Sequence, residues 1–86
     1  MIPLLEPKEV NVEVNVRREP AQIISRGRRR AVVQVQNRWR IDDEWWRGEI
    51  SRMYYQVVLA DNSFRTIFQD LHTGRWYEQP YPPGRW

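Results

Sequence analysis

The stretch Arg28–Arg47, RRRAVVQVQNRWRIDDEWWR, decides how the rest of the chain is read. From Ala31 its alternate positions are Ala31, Val33, Val35, Asn37, Trp39 and Ile41, with Val32, Gln34, Gln36, Arg38 and Arg40 between them. Strand side chains point to opposite faces in turn, so this period predicts one mostly apolar face and one face of arginine and glutamine. It is the pattern of a half-buried strand in an antiparallel sheet. The strand is expected to run to Ile41. Asp42-Asp43-Glu44 is then expected to open one short helical turn, because carboxylates favour helix N-termini, with Gly48 stopping it.

Working outward, Val10, Val12, Val14 and Val16 alternate with Asn11, Glu13, Asn15 and Arg17 and predict a first strand, ended by Pro20. Ala21–Ser25 is a short second strand, and Ser25-Arg26-Gly27-Arg28 the turn into the third. Ser51–Ala60 is rich in β-formers, Asp61-Asn62-Ser63 is a hairpin connection, and Phe64–Asp70 returns. His72-Thr73-Gly74 turns the chain into a sixth strand, Arg75–Gln79.

The fold expected is all-β: a six-stranded antiparallel meander, closed as a strongly coiled sheet or a small SH3-like barrel, with at most one short helical turn. Residues 1–8 read as a flexible arm, 9–79 as a single β domain and 80–86 as a proline-rich tail. The expected core is Val10, Val12, Val14, Val16, Val33, Val35, Trp39, Val57, Leu59, Phe64 and Phe68. Tyr54-Tyr55 and Ile67-Phe68 place apolar groups on both faces, as a closed or covered sheet allows. Strand one is long and valine-rich, so its edge is expected to be covered, by a second copy in a homodimer or by the tail through Trp86.

Composition narrows the function. The chain has 86 residues, 41% of them hydrophobic and eleven aromatic, enough for one small core. Cysteine is absent and His72 is the only histidine, so thiolate or two-histidine metal sites are excluded within one chain and no cofactor is expected. No apolar run reaches membrane-spanning length, and MIPLLEPKEV lacks the pattern of a signal peptide, so a cytoplasmic protein without a membrane partner is expected. Asp42, Asp43 and Glu44 are adjacent rather than opposed across a substrate, and His72 has no neighbouring nucleophile motif, so an enzyme is not expected.

The basic residues are thirteen arginines and Lys8, against eleven acids. Between Arg17 and Arg40 there are eight arginines and one acid, Glu19, whereas Asp42–Glu49 holds four acids and one arginine. Arg28, Arg30, Arg38 and Arg40 share strand parity with Gln34 and Gln36, while Arg26 and Arg29 widen the cluster at the hairpin. One reading is a stripe that tracks nucleic-acid phosphates, with Trp46 stacking on a base. The other is a solvated face paired with Glu13 and Glu49, the arginine bias then being one of codon usage. Trp45 and Trp46 either plug the end of a small barrel or divide between core and partner.

The runs GRRRAVVQVQNRWRIDDEWWR, YYQVVL and DLHTGRWYEQ resemble a small uncharacterised bacterial domain associated with Y-family DNA polymerase homologues of damage-inducible mutagenesis cassettes. The likeness covers about residues 9–79 and is strongest at Trp39–Trp46 and Thr73-Gly74-Arg75-Trp76. It implies a setting in DNA repair or translesion synthesis and carries no catalytic residues. The function expected is a non-catalytic module binding single- or double-stranded DNA. The alternative is a protein-interaction module docking on a polymerase or repair factor.

Overall fold

Six strands form where the alternation places them, and they close on themselves. The structure, a computed structural model, describes residues 7–45 and 48–79, the side chains of residues 43–48 excepted. The strands are β1 (Lys8–Val14), β2 (Pro20–Ser25), β3 (Arg28–Trp45), β4 (Gly48–Leu59), β5 (Phe64–Asp70) and β6 (Trp76–Gln79). Each pairs antiparallel with the next, and β6 pairs back onto β1 to close a barrel. The expected all-β meander and small barrel are what the chain forms.

Local chemistry explains each turn. The Asn15 Oδ1 accepts from the Arg17 and Glu19 amides at 2.9 and 3.0 Å, so β1 ends at Val14 and Val16 is left 99% exposed. Pro20 therefore opens β2 rather than closing β1, a first-residue position that suits its missing N–H. Arg26 and Gly27 both take positive φ, 54° and 78°, in the two-residue turn closed by Ser25 and Arg28. Such a mirror-image turn follows the strand twist. At the β5–β6 turn Asp70 and Thr73 accept the His72 and Arg75 amides through their side chains.

Two expectations are corrected here. Asp42, Asp43 and Glu44 continue β3, facing Ser51, Ile50 and Glu49 across the ladder, so there is no helical turn at this place. A lone helical turn fixes several dihedrals for one hydrogen bond, whereas the long β3–β4 ladder extends a residue at a time. The edge of β1 is met by β6 over its first residues: Lys8, Glu9 and Val10 pair with Glu78, Tyr77 and Trp76, and closure covers that stretch without a second copy or the tail. The tail itself, Trp86 included, lies outside the described residues, as does the arm up to Glu6.

The core occupies the barrel interior. Val10, Ile23, Tyr55, Val57, Leu59, Ile67 and Trp76 are buried there, with Val12, Val32, Val35 and Met53 packed against them. Directly opposed residues share a face, and two irregularities in β3 reset that face. Val32 opposes Leu59, Gln34 opposes Val58, Val35 opposes Val57 and Asn37 opposes Gln56. Val33 and Gln36 are the extra residues. Val33, expected in the core, is 62% exposed as a result. Val14 and Phe64, also expected inside, are 47% and 66% exposed.

A second apolar layer lies on the outer face. The Trp39 and Tyr54 rings stack at 5.3 Å, Tyr54 meets Phe68 at 4.9 Å, and Phe68 stacks on Tyr77 at 5.2 Å. The Arg52 guanidinium lies 4.5 Å over the Phe68 ring and donates to the Tyr54 hydroxyl at 3.2 Å. Trp39 and Phe68 are thus joined through Tyr54, but outside the barrel rather than inside it.

Candidate nucleic-acid interface

The arginines of β3 share one parity, as expected, but it is the parity of the core. Arg30 opposes Ile23, and Arg38 opposes Tyr55. Between them the same phase is filled by Val32 and Val35. Interior-facing positions near the two ends of a barrel open onto its mouths. Arg28 and Arg30 therefore reach one mouth and Arg38 and Arg40 the other, six ladder steps or roughly 20 Å further along the sheet. The stripe is cut in two by the apolar plug.

The far end is already neutralised. Arg38 donates to Glu19 at 3.1 Å. Arg40 donates to Asp42 at 2.8 Å, and Ser51 donates to the same carboxylate at 2.7 Å. The Ser51 and Arg40 hydrogen bonds hold the Asp42 carboxyl below its ordinary value, with a further contribution from the charge of His72. Serine, aspartate and histidine thus gather here, but a carboxylate held below its ordinary pKa by Ser51 and Arg40 is a weak base towards the serine hydroxyl. On the outer face Arg29 is held by Glu13 at 3.0 Å and Gln22 at 2.6 Å. Gln34 and Gln36 line a shallow exposed groove with Glu19, Pro20 and Arg38, apart from Arg28 and Arg30. Trp46 lies outside the described residues.

The near mouth differs. It is a cleft of about 690 Å³, lined by Lys8, Arg26, Arg28, Arg30 and Arg65, with Glu9 and Glu78 as its acids among the described residues. Val10, Ile23 and Leu59 form an apolar floor. The cations come from three separate places: the start of β1, the β2–β3 hairpin with its tip, and β5. Arg65 is committed, donating to Glu78 at 2.7 Å. Glu9 leans towards Arg75, 4.0 Å away. Among the described residues, Lys8, Arg26, Arg28 and Arg30 have no carboxylate within ion-pair distance. Asp61 feels the Arg30 charge, but its carboxylate is taken by the Ser63 hydroxyl and amide at 2.6 and 3.0 Å, which hold its pKa low. A concave site with converging unpaired cations and low-dielectric walls focuses its field on an anion.

Sequence alone did not single out Lys8 and Arg65. Lys8 carries the phase of Val10 and Val12, and Arg65 that of Ile67, so their alternation with core residues was the available signal. Arg26 holds its left-handed conformation where asparagine or glycine fits with less strain, which sets a charged side chain at the rim.

Tyr55 offers a pH-dependent check on the interior. Burial pushes its phenol above the ordinary value of 10.0, partly opposed by Arg38. The unfolded chain then releases this proton at lower pH than the folded one, so the contribution is present below pH 10 and is lost as pH rises beyond it. Alkaline titration followed by phenolate absorbance and circular dichroism should show Tyr55 ionising together with unfolding. In Tyr55→Phe that coupled step should vanish. A full phenolate titration near pH 10 without loss of structure would contradict the interior placement of Tyr55.

Among the described residues no helix is long and apolar enough to cross a membrane, and no group of three metal-ligating side chains is gathered. Comparison with protein-family models, with characterised proteins and with solved structures finds no match to this chain.

Proposed function

We propose that this chain is a non-catalytic nucleic-acid-binding module that takes phosphates at the near mouth of its barrel. The observation that supports this most is the convergence of Lys8, Arg26, Arg28 and Arg30 on one cleft without a carboxylate partner among the described residues. A guanidinium fork matches phosphate oxygens two at a time, and phosphate binding supplies affinity without reading bases. Arg29, Arg38 and Arg40, expected in the same stripe, are engaged elsewhere and contribute less. The resemblance carried by the sequence favours a setting in DNA repair or translesion synthesis.

The second reading is docking on a polymerase or repair factor. It draws on Val33 and Phe64, both more than half exposed on the outer face, where Gln34 and Phe64 flank Val58. Salt separates the two, because phosphate binding releases counterions and an apolar interface does not. Anisotropy of a labelled single-stranded oligonucleotide across a salt series should give a log–log slope of about −3 if all four cations neutralise phosphates. No binding in low salt would remove the phosphate reading.

A further inference from the structure

The near mouth has two tiers. Lys8, Arg26 and Arg28 are exposed at its rim, whereas Arg30 and Arg65 are half-buried further in. Arg30 sits beside Ile23, one pair in along the inward face from the Ser25–Arg28 pair that closes the turn, and Arg65 opposes Val57 of the core. Six strands about 4.8 Å apart and tilted about 40° close on a diameter of roughly 12 Å between backbones. Side chains narrow that opening further.

A duplex cannot use such a site fully. It presents phosphates on two stiff convex ridges, about 12 and 6 Å apart across its grooves. A ridge can rest on the rim but cannot bend inwards to the second tier. A single strand can direct one phosphate into the cleft and turn an unstacked base towards Val10, Ile23 and Leu59. Arg30, unlike Arg65, is not held by a carboxylate within ion-pair distance among the described residues, so it is the inner group available to that phosphate.

Resting on the phosphate reading above, we infer that the mouth selects single-stranded over duplex nucleic acid, with Arg30 as the residue that makes the distinction. Lys8, Arg26 and Arg28 serve both forms, and Arg30 serves the single strand alone.

The test uses the full chain with a labelled oligothymidylate as probe, read by anisotropy in low salt. The competitors are circular single-stranded DNA and relaxed, covalently closed duplex circles, neither of which has ends. The single-stranded circle should displace the probe at about one-tenth of the phosphate concentration that the duplex needs, since one inner phosphate neutralised with release of its counterion is worth about that factor. Arg30→Gln should weaken the single-stranded competitor and leave the duplex unchanged, whereas Arg28→Gln should weaken both, with thermal melts showing each variant folded. Equal displacement by the two circles, seen on the unmodified chain, overturns the selectivity and leaves phosphate binding standing. Failure of the oligothymidylate to bind at all overturns both.

Discussion

Phe68→Ala is expected to destabilise the chain by about 3–5 kcal/mol, the usual range for truncating a buried aromatic. Phe68 is 2% exposed, stacked on Tyr77, packed against Tyr54 and covered by the Arg52 guanidinium. Its loss leaves a gap in the outer layer and takes away the surface on which Arg52 lies. Domains of this length have roughly 4–13 kcal/mol of total stability, so the urea midpoint should fall by about a quarter or more. Phe64→Ala is the informative partner. It lies on the same face of the same strand but is 66% exposed, and its truncation should cost no more than about 0.5 kcal/mol. Comparable costs for the two in urea unfolding would contradict the placement of the outer layer over the Phe68 end of β5.

This pair shows where reading by period succeeds and where it stops. Alternation marks strands, and the asparagine, glycine and proline positions mark their ends, because both are local. The six strands and their order were legible for that reason. Which face is inside is less local. Val33 and Gln36 each add a residue to β3, and each shifts the phase of everything after it. The two shifts cancel, so Arg28, Arg30, Arg38 and Arg40 keep a common phase while Val33 leaves the core. Nothing in VVQVQN distinguishes these extra residues from regular ones, since bulges serve the curvature of the closed barrel.

The pairs Tyr54-Tyr55 and Ile67-Phe68 carry the same lesson from the other direction. Tyr55 and Ile67 fill the interior, while Tyr54 and Phe68 build the outer layer with Trp39 and Tyr77. Apolar groups on both faces announced a covered sheet, but not which member of each pair went inside. The site was legible to the same degree. A concentration of arginine between Arg17 and Arg40 is visible by inspection. Its division into arginines held by carboxylates and a near mouth without such partners for Arg28 and Arg30 among the described residues depends on groups distant in sequence: Glu19 for Arg38, Glu13 for Arg29, and Lys8 beside Arg28 and Arg30.

That division sets the second large expected effect. Arg28→Gln with Arg30→Gln removes from the mouth two charges that no carboxylate pairs among the described residues. On a single-stranded oligonucleotide each phosphate no longer neutralised should flatten the log–log salt slope by about 0.7, so the pair should flatten it by about 1.4. At 0.1 M salt one unit of slope corresponds to a factor of ten, and affinity should fall by roughly 25-fold. Arg38→Gln with Arg40→Gln removes the same formal charge from the far end. There the guanidiniums are bound to Glu19 and Asp42, and their removal frees those carboxylates without changing the counterions released from DNA. The slope should stay within about 0.3 of the unmodified chain, because only the long-range field has changed. Replacing Arg28 and Arg30 by lysine keeps the charge and loses the fork, and should preserve the slope while weakening the intercept. If the two glutamine pairs flatten the slope equally, binding follows net charge rather than the mouth, and the cleft loses its claim to be the site.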